Sequence, residues 1–113
     1  PSNRDTRGEA QRLYKAKEYR AAIVSAVTYL EGALRKLFRL SDDTRHLSLN
    51  GMIKSAYTRE LISADMLPQI LEWIQIRNGI VHSKEGLAVT SKIAKRIVDG
   101  VVKIVKGFPK DGD

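Results

Sequence analysis

Apolar residues recur at three- and four-residue steps along almost the whole chain, and this spacing constrains the fold more than any other feature. Because a helix completes a turn about every 3.6 residues, such steps predict amphipathic helices, whereas strands would need alternation. The clearest run extends from about Tyr19 to Leu40. Its apolar stripe consists of Ile23, Val27, Leu30, Leu34 and Leu37, thickened by Ala22, Ala26 and Ala33.

One shorter helix is predicted before this long one, and another after it. The first extends from Thr6 to Lys17, and Thr6 and Glu9 have the spacing of a capping box. A polar connector containing His46 follows the long helix, and Asn50 is then placed to cap a third helix. The apolar residues of this third helix are Met52, Ile53, Ala56 and Tyr57.

A fourth and a fifth helix complete the prediction. Ser63 or Asp65 would cap the fourth helix, and Pro68 fits only within its first turn. The last helix begins near Thr90 and separates an apolar face from a basic face. The apolar face holds Ile93, Ile97, Val101, Ile104 and Phe108, and the basic face holds Lys92, Arg96, Lys103 and Lys106. The pattern therefore predicts an all-α fold, an antiparallel four- to five-helix bundle.

The fourth segment also permits a β-hairpin, with Leu71 to Arg77 as one strand, Asn78-Gly79 as the turn and Ile80-Val81 as the return strand. We favour the helix because the return strand would be very short and no other segment offers a sheet partner. The apolar residues of the segment also keep helical steps.

The apolar residues of the fourth segment cover more of the helix circumference than one core-facing stripe requires. They are Leu67, Ile70, Leu71, Trp73, Ile74, Ile76, Ile80 and Val81. A second copy of the chain, packing this helix against its twin, is the economical explanation, since most soluble oligomers are two-fold dimers. The alternative is a helix that is central to its own bundle.

Length and composition limit the class of protein. The 113 residues fit a single domain, with a core over about residues 9–107 and polar termini that fit linker segments. The chain has no cysteine, which excludes disulfides and thiolate metal sites and favours a cytoplasmic location. No apolar run approaches the roughly 18 residues of a membrane-spanning helix, so no membrane partner is expected. The start without methionine fits either a trimmed protein or a domain of a longer chain.

The charge balance is basic: 20 Lys and Arg residues against 13 Asp and Glu residues give a net charge of +7. A positive protein attracts polyanions such as RNA, DNA or an acidic partner. The alternative is that the charge serves solubility alone, because a net charge does not reveal where the charged residues lie.

Arg77 and His82, in the fourth segment, combine chemistries that suit RNA cleavage without a metal. An imidazole can transfer protons near neutral pH, and a guanidinium can hold a phosphate through paired donors. Five residues on an unbroken helix place two side chains about 140° apart, so these two converge only if the helix ends or bends at Gly79. The alternative is structural, with Arg77 paired to an acid such as Glu72 or Glu85 and His82 only capping the helix or filling a surface.

Other kinds of site have little support in the sequence. The two histidines, His46 and His82, lie far apart, and neither belongs to a ligand-spaced cluster with Asp or Glu. The glycines are scattered, which disfavours a phosphate-binding loop. We therefore expect neither a metal nor a cofactor. An acid/base pair of His46 and His82 in a monomeric nuclease stays as a third hypothesis.

The segment from Arg77 to His82, RNGIVH, resembles the signature of the HEPN superfamily (higher eukaryote and prokaryote nucleotide-binding domains): Arg, a polar residue, a few mixed residues, then His. The helix from Tyr19 to Arg35, rich in small residues and closing on Leu-Glu-x-x-Leu-Arg, is similar to the second helix of many members. The likeness extends roughly from Glu9 to Gly107.

The resemblance implies a helical bundle that dimerises with its two Arg/His motifs facing each other, and many HEPN domains are metal-independent endoribonucleases. By position, His82 would be the general acid/base, Arg77 would stabilise the charged phosphorane, and Asn78 would orient or polarise. Glu31 would be a supporting polar group of the second helix. The alternative is that Glu31 forms a surface ion pair with Arg35, one helical turn away.

The resemblance also implies a toxin or anti-phage defence context, with an antitoxin or additional domains as partners. One subgroup of HEPN toxins carries a tyrosine two residues after the histidine, as a target for a nucleotidyltransferase antitoxin. Lys84 occupies that position here, which argues against such an antitoxin.

Two main hypotheses follow. The leading one is a homodimeric RNA-cleaving domain that uses Arg77, Asn78 and His82. In it, the RNA backbone is held by Lys84, Lys92 and Arg96. The second is a non-catalytic module that binds nucleic acid or nucleotide, or dimerises, within a larger protein.

Overall fold

The computed structural model describes residues 6–38, 47–82 and 89–109 of the chain. Within these ranges the chain forms five helices and no strand. The helices are α1 (Thr6–Lys15), α2 (Tyr19–Leu37), α3 (Leu49–Thr58), α4 (Met66–Val81) and α5 (Ser91–Lys106). The all-helical prediction is confirmed, and the hairpin alternative fails because Asn78 and Gly79 lie inside α4.

The central element of the fold is α2, which packs against each of the other four helices. Its inward face follows the predicted apolar stripe, and the small side chains of Ala22 and Ala26 allow neighbouring helices to approach closely. The helix ends at Leu37, three residues before the predicted end, and Phe38 follows as a buried C-cap residue. The buried residues of α2 are Ala22, Ile23, Ser25, Ala26, Val27, Leu30 and Leu34.

The connection between α1 and α2 is a tight turn that reverses the chain. Lys17 has a φ of 65°. The backbone N–H of Lys17 donates to Tyr14 O and that of Glu18 donates to Leu13 O, each at 2.9 Å. These two bonds satisfy carbonyls that the end of a helix otherwise leaves free, in the arrangement known as the Schellman motif. The predicted capping box at Thr6 lies outside the described side chains.

The start of α3 corrects one sequence prediction, and the start of α4 agrees with another. The cap of α3 is Ser48, whose Oγ accepts from Gly51 N at 3.1 Å, so the Asn50 cap is wrong and Asn50 lies within the helix. Before α4, Ser63 Oγ accepts from Met66 N at 3.3 Å, while Asp65 makes no side-chain cap bond. Pro68 falls in the first turn of α4, as predicted.

The last helix, α5, begins after Thr90, as predicted, and Thr90 Oγ1 accepts from Ile93 N at 3.1 Å. Its buried face packs against α1 and α2, and Tyr14 Oη lies 3.0 Å from Ser91 Oγ at the α1 contact. The buried residues of α5 are Ala94, Ile97, Val98 and Val101.

The apolar excess of α4 is covered mainly by the chain itself. Ile70, Trp73 and Ile74 are buried, and Leu67, Leu71, Ile76 and Ile80 are partly buried against the same core. Only Val81 of this set is exposed, at 54%. The excess therefore favours the alternative of a helix central to its own bundle, and it does not require a second copy.

Candidate functional site

The three predicted catalytic residues lie together at the carboxyl end of α4. Arg77 and Asn78 belong to the last turns of the helix, and His82 is its C-cap residue. The backbone N–H of His82 donates to Asn78 O at 2.9 Å, which continues the helical hydrogen-bonding pattern to the end of the motif. Asn78 and His82 are exposed and Arg77 is half-buried.

The expected turn around Gly79 is wrong, because α4 continues through Gly79 to Val81. Gly79 is buried and helical. A glycine inside a helix costs only about 1 kcal/mol, and the partial burial of Ile80 against the core offsets that cost. On this unbroken helix Arg77 and His82 diverge by about 140°, so one chain alone does not bring the two side chains together.

The guanidinium of Arg77 is oriented by its neighbour. Arg77 Nε donates to Asn78 Oδ1 at 2.9 Å. Among the described residues Arg77 forms no ion pair, so the pairing with Glu72 is not found, while Glu85 lies outside the described residues. The bond from Nε leaves the terminal nitrogens of the guanidinium as donors for an anion.

Glu31 forms an ion pair with Arg35 of its own helix, α2. Arg35 Nη2 lies 2.9 Å from Glu31 Oε2, and Arg35 Nε donates to the same oxygen at 3.3 Å. This is the surface pair one helical turn apart that the sequence analysis weighed against a supporting role. A carboxylate held in this way reaches a substrate only after exchanging its partner.

A groove with a volume of about 490 Å³ lies beside the end of α4. It is bounded by α1, α2 and α4, and its lining includes Leu13, Val24, Thr28 and Ile80. This groove was not predicted from the sequence. The available signal was the run of small residues on α2, because short side chains between two flanking helices leave a depression.

The predicted RNA-binding residues that the structure describes, Lys92 and Arg96, are exposed on α5, and Lys84 lies outside the described residues. The same helix also exposes Lys95 and Asp99, which were not among the predicted RNA-binding residues. Lys95 Nζ lies 2.7 Å from Asp99 Oδ2. The Asp99 carboxylate raises the pKa of Lys95 above its ordinary value, first through this hydrogen bond and then through its charge.

His46, the partner in the third hypothesis, lies outside the described residues. In the part of the chain that the structure describes, no three His, Asp or Glu side chains are grouped closely enough to hold a metal ion. None of the described helices has the length and apolar character needed to cross a membrane.

Comparison of the chain with protein-family models, with curated proteins and with solved structures finds no match. The resemblance to HEPN domains therefore rests on the residues of the sequence alone.

Proposed function

We propose that the protein is a metal-independent endoribonuclease that acts as a homodimer, with a site composed of Arg77, Asn78 and His82. The observation that carries the proposal is the end of α4. There the exposed imidazole of His82 lies within one and a half helical turns of Arg77, whose guanidinium is not paired with any described acid. The resemblance to HEPN toxin and defence proteins supports the same assignment.

The reaction needs a base, an acid and a stabilising cation. The 2′-hydroxyl of RNA loses its proton to a base and its oxygen attacks the adjacent phosphorus. The bond to the 5′-oxygen then breaks as that oxygen gains a proton. His82 transfers these protons, Arg77 stabilises the negative charge of the phosphorane, and Asn78 holds the guanidinium in place. The products are a 2′,3′-cyclic phosphate and a 5′-hydroxyl.

The unbroken α4 makes a second chain part of the proposal. Within one protomer Arg77 and His82 point about 140° apart, so a single phosphate meets both only if they come from different protomers. In a two-fold dimer the same surface meets itself, which generates two equivalent sites from one contact. Lys92 and Arg96 of α5, together with Lys84, contribute contacts to the RNA backbone.

The first experiment measures cleavage of single-stranded RNA in excess chelator. We expect His82→Ala to reduce the rate by at least about 100-fold with unchanged helicity. Arg77→Lys keeps the charge but loses the paired donors, so it should also be impaired. His46→Ala is the control and should be fully active. The proposal fails if His82→Ala cleaves at the wild-type rate, or if the products lack cyclic phosphate ends.

The second experiment tests whether the site crosses the two-fold axis. When Arg77→Ala and His82→Ala chains are mixed, about half of the dimers are mixed, and each mixed dimer has one of its two cross-protomer sites intact. Activity should therefore recover to about a quarter of the wild-type value. A site built within single chains would recover nothing on mixing.

A non-catalytic module of a larger protein, which binds nucleic acid or nucleotide or dimerises, is the second candidate function. The divergence of Arg77 from His82 on an unbroken helix favours it. In this case RNA is retained in a salt-dependent manner, and no products form after long incubation. That result, with a wild-type protein that is folded and dimeric, would replace the nuclease proposal.

A further inference from the structure

The outward face of α5 is the most strongly charged surface that one described helix presents. Its charged residues recur at four-, three-, four- and three-residue steps from position 92 to position 106, and one more lysine, Lys95, lies next to this row. They therefore lie within roughly a third of the helix circumference. All of them are exposed, and they are Lys92, Lys95, Arg96, Asp99, Lys103 and Lys106. We call this set the α5 stripe.

The α5 stripe is held in place by the opposite face of the same helix. Ala94, Ile97 and Val101 are buried against the rest of the bundle, at 0–1% exposure. The hydroxyl of Thr90 caps the first turn. Because the backbone of α5 is fixed on its inner side, the outer cations keep their spacing and a partner does not have to order the helix.

The charges of the α5 stripe sum to +4, from five cations and one carboxylate. Asp99 lies in the middle of the stripe and binds Lys95 at 2.7 Å. The stripe is thus divided into a cluster at its amino end, Lys92 with Arg96, and a cluster at its carboxyl end, Lys103 with Lys106. The two clusters extend over about 21 Å along the helix axis, at about 1.5 Å per residue.

A linear polyanion fits this surface better than a membrane does. A helix that lies on a membrane inserts its apolar face, but the apolar face of α5 is buried in the bundle. The large apolar side chains that are exposed in the described part of the chain are Tyr57 and Val81, and neither belongs to α5. A row of cations over about 21 Å instead matches a strand that carries a charge on every nucleotide.

We infer that the α5 stripe binds the sugar–phosphate backbone of single-stranded nucleic acid without reading its sequence, and that Asp99 limits the affinity by occupying Lys95. The surface extends beyond Lys92 and Arg96 to Lys103 and Lys106. It does not include the residues at the end of α4, and its binding does not depend on cleavage.

The test uses a fluorescent single-stranded oligodeoxynucleotide of about 20 nucleotides, whose anisotropy reports binding to the full chain. DNA lacks the 2′-hydroxyl, so binding is measured even if the protein cleaves RNA. For single strands, log K falls with log salt by about 0.7 for each phosphate contact. Lys103→Gln/Lys106→Gln should therefore flatten this slope by about 1.4 and weaken binding on the order of 20-fold at about 0.1 M salt.

Matched controls separate the surface from net charge. Lys36→Gln/Lys54→Gln removes the same charge from α2 and α3, where both lysines are exposed, and it should change affinity less than about 2-fold. Asp99→Asn releases Lys95, so it should tighten binding about 5-fold and steepen the slope by about 0.7. Lys95→Gln/Asp99→Asn removes the pair together and should stay near the wild-type affinity.

Two results would overturn the inference. One is equal loss of affinity in the Lys103/Lys106 variant and in the Lys36/Lys54 control, which would show a diffuse charge effect. The other is binding to phosphatidylserine vesicles that is lost in the Lys103/Lys106 variant while oligonucleotide binding is kept, which would make the partner a membrane surface. Circular dichroism of each variant distinguishes lost binding from lost folding.

Discussion

At the scale of single residues, close packing constrains the contact between Gly100 of α5 and Trp73 of α4. A Cβ added to Gly100 would lie 2.4 Å from Cη2 and 2.7 Å from Cζ2 of Trp73. The indole is 2% exposed and cannot swing away. Its Nε1 has no hydrogen-bond partner among the described residues, so the ring is held by packing. We expect Gly100→Ala to lower the free energy of unfolding by about 1–3 kcal/mol.

Gly32 is the matched control, because it lies in the middle of α2 and an added Cβ would meet nothing within 4 Å. Gly32→Ala should raise the free energy of unfolding by about 0.5–1 kcal/mol, since alanine loses less backbone entropy in a helix. Urea denaturation followed by circular dichroism measures both changes. Equal stabilities of the Gly100→Ala and wild-type proteins would contradict the packing of α4 against α5.

The same scale shows what could be predicted about the candidate site. The residue types of Arg77, Asn78 and His82 are visible in the sequence, and so is the angle between positions five apart on a helix. The hydrogen bond from Arg77 to Asn78 and the pairing of Glu31 with Arg35 depend on which of several acceptors each side chain selects. The spacing permits the second pair, but the sequence does not choose between it and a supporting role.

At the scale of elements, the ends of α1 and α3 carry a conformational cost. Lys17 and Glu60 have φ values of 65° and 64°, which side chains with a Cβ disfavour. In each case the next residues bond back to the helix, as shown by the 2.9 Å bond from Leu61 N to Ala56 O. Replacing either residue by glycine should raise the free energy of unfolding by up to about 1 kcal/mol.

A glycine introduced inside a helix provides the contrast to these two substitutions. Lys54 is exposed in the middle of α3, and Lys54→Gly should lower the free energy of unfolding by about 1 kcal/mol. Thermal and urea denaturation of the three variants give the comparison. If Lys17→Gly and Glu60→Gly destabilise the protein as Lys54→Gly does, the left-handed conformations of Lys17 and Glu60 are not those of the folded protein in solution.

The helices also differ in how accurately the sequence predicts where each one starts and ends. Thr90 lies three residues before the apolar run of α5 begins at Ile93, and the predicted start near Thr90 is correct. Before α3, Ser48 and Asn50 are both suitable, and the extended backbone at Ser48 decides in its favour. Gly79 is a residue type that commonly follows the end of a helix. Tertiary contacts of Ile80 outweigh that local preference, and no sequence pattern reports their strength.

At the scale of the whole molecule, the arrangement of the helices explains how the apolar excess of α4 is covered within one chain. Counting apolar residues on α4 assumes that it packs on one neighbour, whereas it packs against α2 and α3 and also meets Gly100 of α5. A helix with several neighbours buries more of its circumference. The proposed dimer is therefore supported by the angle between Arg77 and His82 and by the exposed end of α4, and not by surplus apolar area.

Val81 offers a direct test of that dimer. It is the last residue of α4, it lies between the motif residues, and it is 54% exposed. If the two motifs meet across a two-fold axis, Val81→Lys places like charges near each other and should convert dimer to monomer. A lysine at a helix carboxyl end suits the helix dipole, so the fold should persist.

Tyr57→Lys is the control, because Tyr57 is the other large apolar side chain that is exposed in the described part of the chain, at 41%, and it lies near the carboxyl end of α3. Light scattering after size exclusion, over a range of concentrations, measures the mass of each variant. We expect a monomer for Val81→Lys alone, with loss of RNA cleavage in the same sample because each site needs both protomers. A Val81→Lys dimer that still cleaves RNA would place the contact between protomers away from the end of α4.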